Sequence, residues 1–307
     1  MQADSARRPV LYSRDGVTPD RDAPPRRGPE GSVITADVAP TNITRTLEDP
    51  LAEALRIVDA AEERGLLLRL MGGMAVRAHA PHWTHRTRRR EVDIDFATRS
   101  KDRAAVMQLL EREGYSPDRR HNAMFGREQA YFVDEARSRP VDLLVDKLMM
   151  CHRLEFADRL GASKPTLPVA DLLLSKLQIV KINKKDVLDA LVLLAEHPLG
   201  PDDGAPDSST GLGAISLPRI LSFTSNDWGW WRTATGNLEK LQQFLDTDFV
   251  TGDLDVGARP VRYDAKSQVA ALRAAIDAAP KSTRWRLRAK VGDRAPWYQE
   301  PEEVGHG

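Results

Sequence analysis

Met71-Gly72-Gly73-Met74, followed after a gap by Arg90-Glu91-Val92-Asp93-Ile94-Asp95-Phe96, is the stretch that decides how this chain folds. An apolar run leads into a Gly-Gly turn and a short helix-compatible segment, and the second half alternates acidic and apolar residues as a strand does. Successive side chains on a strand point to opposite faces, so Asp93 and Asp95 share one face while Val92, Ile94 and Phe96 take the other. At ~5 Å and an effective dielectric of ~20 two such carboxylates repel by about 3 kcal/mol. A divalent cation bound by both removes that cost. A glycine turn nearby can bring backbone N–H groups close to a phosphate. The stretch therefore marks a candidate magnesium site beside a candidate phosphate cradle.

Working outward, Asp49-Pro50 reads as an N-cap and first turn of a helix with Leu51, Leu55, Val58 and Ala61 on one face, ending at Gly65. Leu66 to Met71 is expected as a buried strand, Met74 to Ala80 as a helix, and Val92 to Phe96 as the second strand. Ser100 is expected to cap a helix over Lys101 to Glu113. Two strands follow, near Ala130 to Val133 and Val141 to Val145, joined by a polar turn. From Pro168 the periods become helical, with Val169 to Val180 and Lys184 to Glu196 as wide apolar faces. Leu238 to Leu245, Ser267 to Ala279 and Ser282 to Val291 read as further helices. The fold class is α/β (α+β): a small mixed β-sheet core with flanking helices, followed by a mostly helical C-terminal domain.

The domain reading is a disordered segment over 1–46, a core over 47–165 and a helical domain over 166–307 with a flexible insert near 199–213. The Pro- and Arg-rich first segment buries too little apolar surface to offset its ordering entropy. Lys and Arg total 45 and balance 45 Asp and Glu, so no global field draws the molecule to a polyanion or membrane, and any polyanion must meet a local patch. Cys151 is the sole cysteine, which excludes an internal disulfide and a cysteine-rich zinc site. No run has the length needed to cross a bilayer. A soluble, cytoplasmic protein is expected.

A third acid comes from Val141-Asp142-Leu143-Leu144-Val145-Asp146. Asp142 and Asp146 share a face, and Asp142 is favoured because strand formers enclose it. With Asp93 and Asp95 it would let adjacent strands hold two magnesium ions, one activating an attacking hydroxyl and the other binding a triphosphate. In this order, the apolar strand, Gly72-Gly73, Asp93-x-Asp95 and Asp142 resemble the DNA polymerase β-type nucleotidyltransferase superfamily. Lys176-Leu177 and Asp186-Val187-Leu188-Asp189 resemble the third and fourth motifs of AbiEii-like toxin nucleotidyltransferases. The resemblance runs from about Leu66 to Leu194 and implies a nucleotidyltransferase core. It implies a nucleoside triphosphate co-substrate, with Gly72, Gly73 and Lys176 at the nucleotide and Asp93, Asp95 and Asp142 at the metals. It also implies that the Asp186/Asp189 element is needed for activity, that RNA or a tRNA end is a possible acceptor, and that a cognate antitoxin is a possible partner. The 20 positions from Gly73 to Asp93 exceed the spacing of compact members and add a His- and Arg-rich loop. Arg88 and Arg90 in that loop are candidates for clamping triphosphate or an RNA backbone.

Simpler readings stand beside these. The glycines suit any tight turn, the Asp pair suits a solvated strand face, and Lys176 can snorkel from an apolar helix. Asp186 near a helix start gains from the dipole alone. His79, His82 and His85 lack a local Cys or acid, and Pro81 breaks their helical register, which argues against zinc. Trp228, Trp230 and Trp231 read as packing residues more than as base platforms. Two other functions compete: a small-molecule, antibiotic-type nucleotidyltransferase, and a catalytically inactive nucleotide- or protein-binding module.

Overall fold

The computed structural model describes residues 45–82, 92–204, 213–247 and 262–300, all within one compact unit that begins at Thr44. The expectations for 1–44, and for His85, Arg88 and Arg90 in the loop, lie outside the described residues. In chain order the elements are α1 (Pro50–Glu62), β1 (Leu68–Met71), α2 (Gly72–His79), β2 (Ile94–Thr98), α3 (Ser100–Arg112), β3 (Ser116–Pro117), α4 (Arg119–Phe125), β4 (Gln129–Asp134), β5 (Arg139–Val145), β6 (Lys147–Met149) and β7 (Arg153–Glu155). After these come α5 (Val169–Leu177), α6 (Lys184–Glu196), β8 (Leu199–Gly200), β9 (Ile215–Ser216), α7 (Leu217–Thr224), α8 (Trp228–Thr247), α9 (Ala265–Ala278) and α10 (Thr283–Val291).

The first five strands form one mixed sheet in the order β1-β2-β5-β4-β3. β1 and β2 run antiparallel, β2 and β5 parallel, β5 and β4 antiparallel, and β4 and β3 antiparallel. β2 is thus flanked on both sides, and Ile94, Phe96 and Ala97 on it are fully buried. The outer side of β1 is covered too: Leu70 N–H donates to Pro165 O at 2.9 Å, and Leu167 N–H donates to Leu70 O at 2.9 Å. That pairing satisfies backbone groups an edge strand would leave open. The expected mixed sheet with flanking helices and a helix-rich second half is the observed architecture.

α1 starts as read, with Asp49 Oδ2 accepting from Ala52 N–H at 2.8 Å and Pro50 in the first turn. Its buried face differs: Ala54, Ile57, Val58 and Ala61 face inward with Glu53, while Leu51 and Leu55 are half-buried. Glu53 is tolerated there because Arg56 pairs with it at 2.8 Å and the Tyr115 hydroxyl donates to it at 2.6 Å. Ser100 does not cap α3. Arg99 holds that position, and the Ser100 N–H and hydroxyl both donate to the Asp146 carboxylate that lies over the helix start. β2 begins at Ile94, not at Val92, and α8 begins at Trp228, ten residues before the expected start.

α5 is buried along its whole length, the mark of a helix that is apolar nearly all round. It packs against α2, α6, α7 and α8. The buried residues of the sheet and of α5, α6, α8 and α9 form one continuous hydrophobic cluster. Within the described residues of the region read as an insert, β8 pairs with β9, while 205–212 lie outside the description. Trp228 and Trp230 are buried, and Trp230 packs on Phe223 with ring centroids 4.8 Å apart. No helix among the described residues is long and apolar enough to cross a membrane.

Candidate active site

The site is built at the β1–α2 turn. Gly72 has φ +62°, a left-handed backbone that costs an L side chain about 1–2 kcal/mol. A Cβ placed there would lie 1.8 Å from Asp95 Oδ2. Glycine is therefore required twice, for the turn and for the approach of the carboxylate. Met71, which pairs with Asp95 across the β1–β2 ladder, is the N-cap of α2 and supplies no side-chain hydrogen bond to the helix start. Among the described residues the first-turn N–H groups of α2 thus have no side-chain cap, the usual setting for a bound anion.

The parallel β2–β5 register puts Asp95 directly opposite Asp142, and the β4–β5 register puts Tyr131 opposite Asp142 on its other side. Gln129 Nε2 donates to Asp142 Oδ1 at 2.8 Å and to the Tyr131 hydroxyl at 2.7 Å. Burial, the charge of Asp142, a hydrogen bond to Asp142 and the charge of Asp95 together push the Tyr131 phenol up to about 12. Tyr131 therefore stays protonated and donates a hydrogen bond to the Asp142 carboxylate. The His121 ring packs on Tyr131 with centroids 4.2 Å apart. Asp146, the alternative third acid, lies one residue past β5 and is engaged with Ser100.

Asp93 lies one residue before β2 and is exposed. Among the described residues no three His, Cys, Asp or Glu side chains already form a metal cage. What the fold does bring together is the Asp95/Asp142 pair beside an uncapped helix start. That donor set fits magnesium, a hard ion usually held by one or two carboxylates, waters and the substrate's own phosphate oxygens.

Lys176, Asp186 and Asp189 meet as a second cluster on α5 and α6. Lys176 Nζ stands 2.8 Å from Asp186 Oδ1 and 3.1 Å from Asp189 Oδ2. Burial disfavours its ammonium, but the carboxylates of Asp189 and Asp186 outweigh burial and hold the amine above lysine's ordinary range. α2, which starts at Gly72, packs against both α5 and α6. Lys176→Met should cost about 3–5 kcal/mol in urea denaturation, because it removes the ammonium that pairs with the buried Asp189 and the half-buried Asp186. The triple replacement Lys176→Met/Asp186→Leu/Asp189→Leu should recover most of that loss. A single variant as stable as wild type would show that the cluster does not hold α5 to α6.

At the far end of α2, His79 Nε2 shares a hydrogen bond with Thr166 Oγ1 at 2.8 Å, and its ring meets His197 edge-on at 4.7 Å. Burial, with the neighbouring His197 second, pushes the His79 imidazole down to about 3. A folded pKa below the unfolded 6.5 means that the fold prefers neutral His79. Its contribution is fully present above pH 6.5 and is lost as pH falls from there toward 3. Stability should drop by about 1–2 kcal/mol between pH 6.5 and 4.5 through this residue. His79→Gln should flatten urea midpoints across that window, and an unchanged slope would contradict the assignment.

Gln129 and Tyr131 are the candidate residues the sequence reading passed over. Their signal was present in part, since they alternate on one strand face. Starting β4 at Ala130 excluded Gln129, and only the cross-strand register reveals that both meet Asp142.

No family model matches the chain, and no curated protein is similar enough to count as a relative. Solved structures align with it, among them the following two. One is the lincomycin-bound lincosamide antibiotic adenylyltransferase LnuA, at 18% identity over 48% of this chain and 96% of that one, with a TM-score of 0.35. The other is an antigenic nucleotidyltransferase-like protein from Paracoccidioides brasiliensis, at 12% identity over 78% of this chain and 96% of that one, with a TM-score of 0.36. Similarity of this size leaves the reading of the site to its own residues.

Proposed function

We propose that this chain is a magnesium-dependent nucleotidyltransferase of the DNA polymerase β type, moving a nucleoside monophosphate from a nucleoside triphosphate to an acceptor hydroxyl. The observation that carries the reading is the approach of Asp95 to Gly72 in register with Asp142. It sets two carboxylates beside the uncapped start of α2, a cation site next to an anion site.

In the reaction the acceptor oxygen bonds to the α-phosphorus, the bond from that phosphorus to the bridging oxygen breaks, and pyrophosphate leaves. The acceptor's proton passes to the Asp142 carboxylate, which Gln129 and Tyr131 orient. Asp95 and Asp142 would hold magnesium, with Asp93 at the rim, and the ion supplies charge neutralisation for the phosphates. Two ions remain the expected number. Gly72 and Gly73 leave room for the triphosphate at the α2 N–H groups. Lys176, bound between Asp186 and Asp189, positions α5 and α6 behind α2, and Arg88 and Arg90 are the loop residues assigned to the phosphates or the acceptor. On the AbiEii-like reading the acceptor is RNA, with a tRNA end as one form, and a cognate antitoxin holds the enzyme in check.

Calorimetric titration with nucleoside triphosphate, with and without magnesium, separates this reading from an inactive binding module. Binding should tighten at least tenfold with magnesium. Binding indifferent to the ion would reject the enzyme reading.

A further inference from the structure

α10 is a cationic helix in a chain of zero net charge. Its sequence, Thr283-Arg284-Trp285-Arg286-Leu287-Arg288-Ala289-Lys290-Val291, holds four basic residues and no acidic one. Arg284 and Arg288 are four apart and share a face, and Arg286 and Lys290 form a second such row. Over nine residues the rows run roughly 12 Å at 1.5 Å per residue, longer than a single phosphate group. Among the described residues no acidic side chain pairs with Arg284, Arg286 or Lys290, all three exposed or nearly so.

Arg284 and Arg288 line an open cavity of about 700 Å³ that is also lined by Arg153 of β7, Trp228, Trp297 and Tyr298. Arg153 is ion-paired with Glu155. Arg288 is fixed in place: it donates to Gly292 O at 2.7 Å and Ala295 O at 2.8 Å, and its guanidinium lies over the Trp228 ring at 4.7 Å. Its charge is therefore held by carbonyls and a ring, with no carboxylate opposing it among the described residues. The one acid of the cavity, Asp227, accepts from Trp230 N–H at 3.1 Å and is occupied in starting α8. Trp297 and Tyr298 are half-buried, so part of each ring faces solvent.

We infer that α10 and this cavity bind single-stranded nucleic acid. Guanidinium and ammonium groups in two rows would follow a phosphate backbone, and rings set in a concave cavity would stack unpaired bases. A small anion would leave the second row unused. A lipid surface would find two exposed apolar side chains on α10, Leu287 at 59% and Val291 at 42%, and would leave the aromatic cavity empty. The inference deepens the proposed function by naming the surface that would hold an RNA acceptor, and rests on that reading only for the transfer step after binding.

The test is fluorescence anisotropy with a labelled 12-nucleotide single-stranded RNA and the full chain, without magnesium or triphosphate. Arg284→Ala/Arg286→Ala/Lys290→Ala should weaken binding at least tenfold and reduce the log–log salt slope by about 2, at ~0.7 for each phosphate no longer neutralised. Tyr298→Ala should weaken it about tenfold. An unlabelled duplex of the same sequence should compete at least tenfold less well than the single strand. Asp95→Asn should bind as wild type, which separates a failure of this site from a failure of the transfer chemistry. Circular dichroism keeps misfolded variants out of the comparison. Absent RNA binding, binding undiminished in the triple variant or in Tyr298→Ala, or sedimentation with anionic phosphatidylserine vesicles in place of RNA binding would each overturn the inference.

Discussion

Asp95→Asn is expected to abolish magnesium-dependent nucleotidyl transfer, by at least a hundredfold, while raising the melting temperature in magnesium-free buffer by about 2–4 °C. The two effects have one cause. Asp95 and Asp142 are register partners on adjacent parallel strands, and the fold confines their charges at a site whose Gly72 wall is in van der Waals conflict with anything larger. At ~5 Å and an effective dielectric of ~20 that repulsion is about 3 kcal/mol. The amide keeps the shape and removes the charge, so the apo fold relaxes while the cation loses a ligand. Magnesium should accordingly stabilise wild type and leave the variant unmoved in the same thermal scan. A variant that melts lower than wild type and still responds to magnesium would show that these carboxylates serve the fold instead.

Gly72→Ala is expected to be the second severe change, lowering stability by about 2 kcal/mol or more and reducing transfer at least a hundredfold. Its methyl group meets the positive-φ cost and the Asp95 carboxylate together. Gly65 gives the matched control. It also has positive φ, +68°, but a Cβ there meets nothing within 4 Å. Gly65→Ala should therefore lose about 1 kcal/mol from the backbone alone and leave transfer at the wild-type rate. Urea denaturation and initial rates on both proteins check this. Equal rates in the two variants would remove Gly72 from the site.

How far each element was legible in the sequence depends on how local its signal is. α6 was bounded correctly at Lys184 and Glu196 because a wide 3.6-residue apolar period coincides with a cap: Asn183 accepts from Asp186 N–H at 3.0 Å. β5 was legible from alternation, and the Gly-Gly turn from composition. α4 was not, since none of its residues is buried and it depends on the Asp118 cap and on packing against β4. α8 was read from Leu238 because its first turn, rich in Trp and Gly, has no strong helix propensity of its own; it is held by burial of Trp228 and Trp230. The site divides the same way. Asp95, Asp142 and Gly72 announce themselves by type and spacing. Gln129 and Tyr131 become candidates only through strand register, and Lys176 acquires its two carboxylate partners only through the packing of α5 on α6.

Label position in the triphosphate tests the central claim most directly. The full chain is incubated with magnesium, total RNA and each nucleoside triphosphate, labelled with phosphorus-32 at either the α- or the γ-phosphate. Nucleotidyl transfer predicts that label enters the acceptor from the α-labelled substrate and leaves as pyrophosphate from the γ-labelled one, with both signals lost in Asp95→Asn. Label entering the acceptor from the γ-phosphate, or α-label incorporated at full rate by Asp95→Asn, would contradict the account.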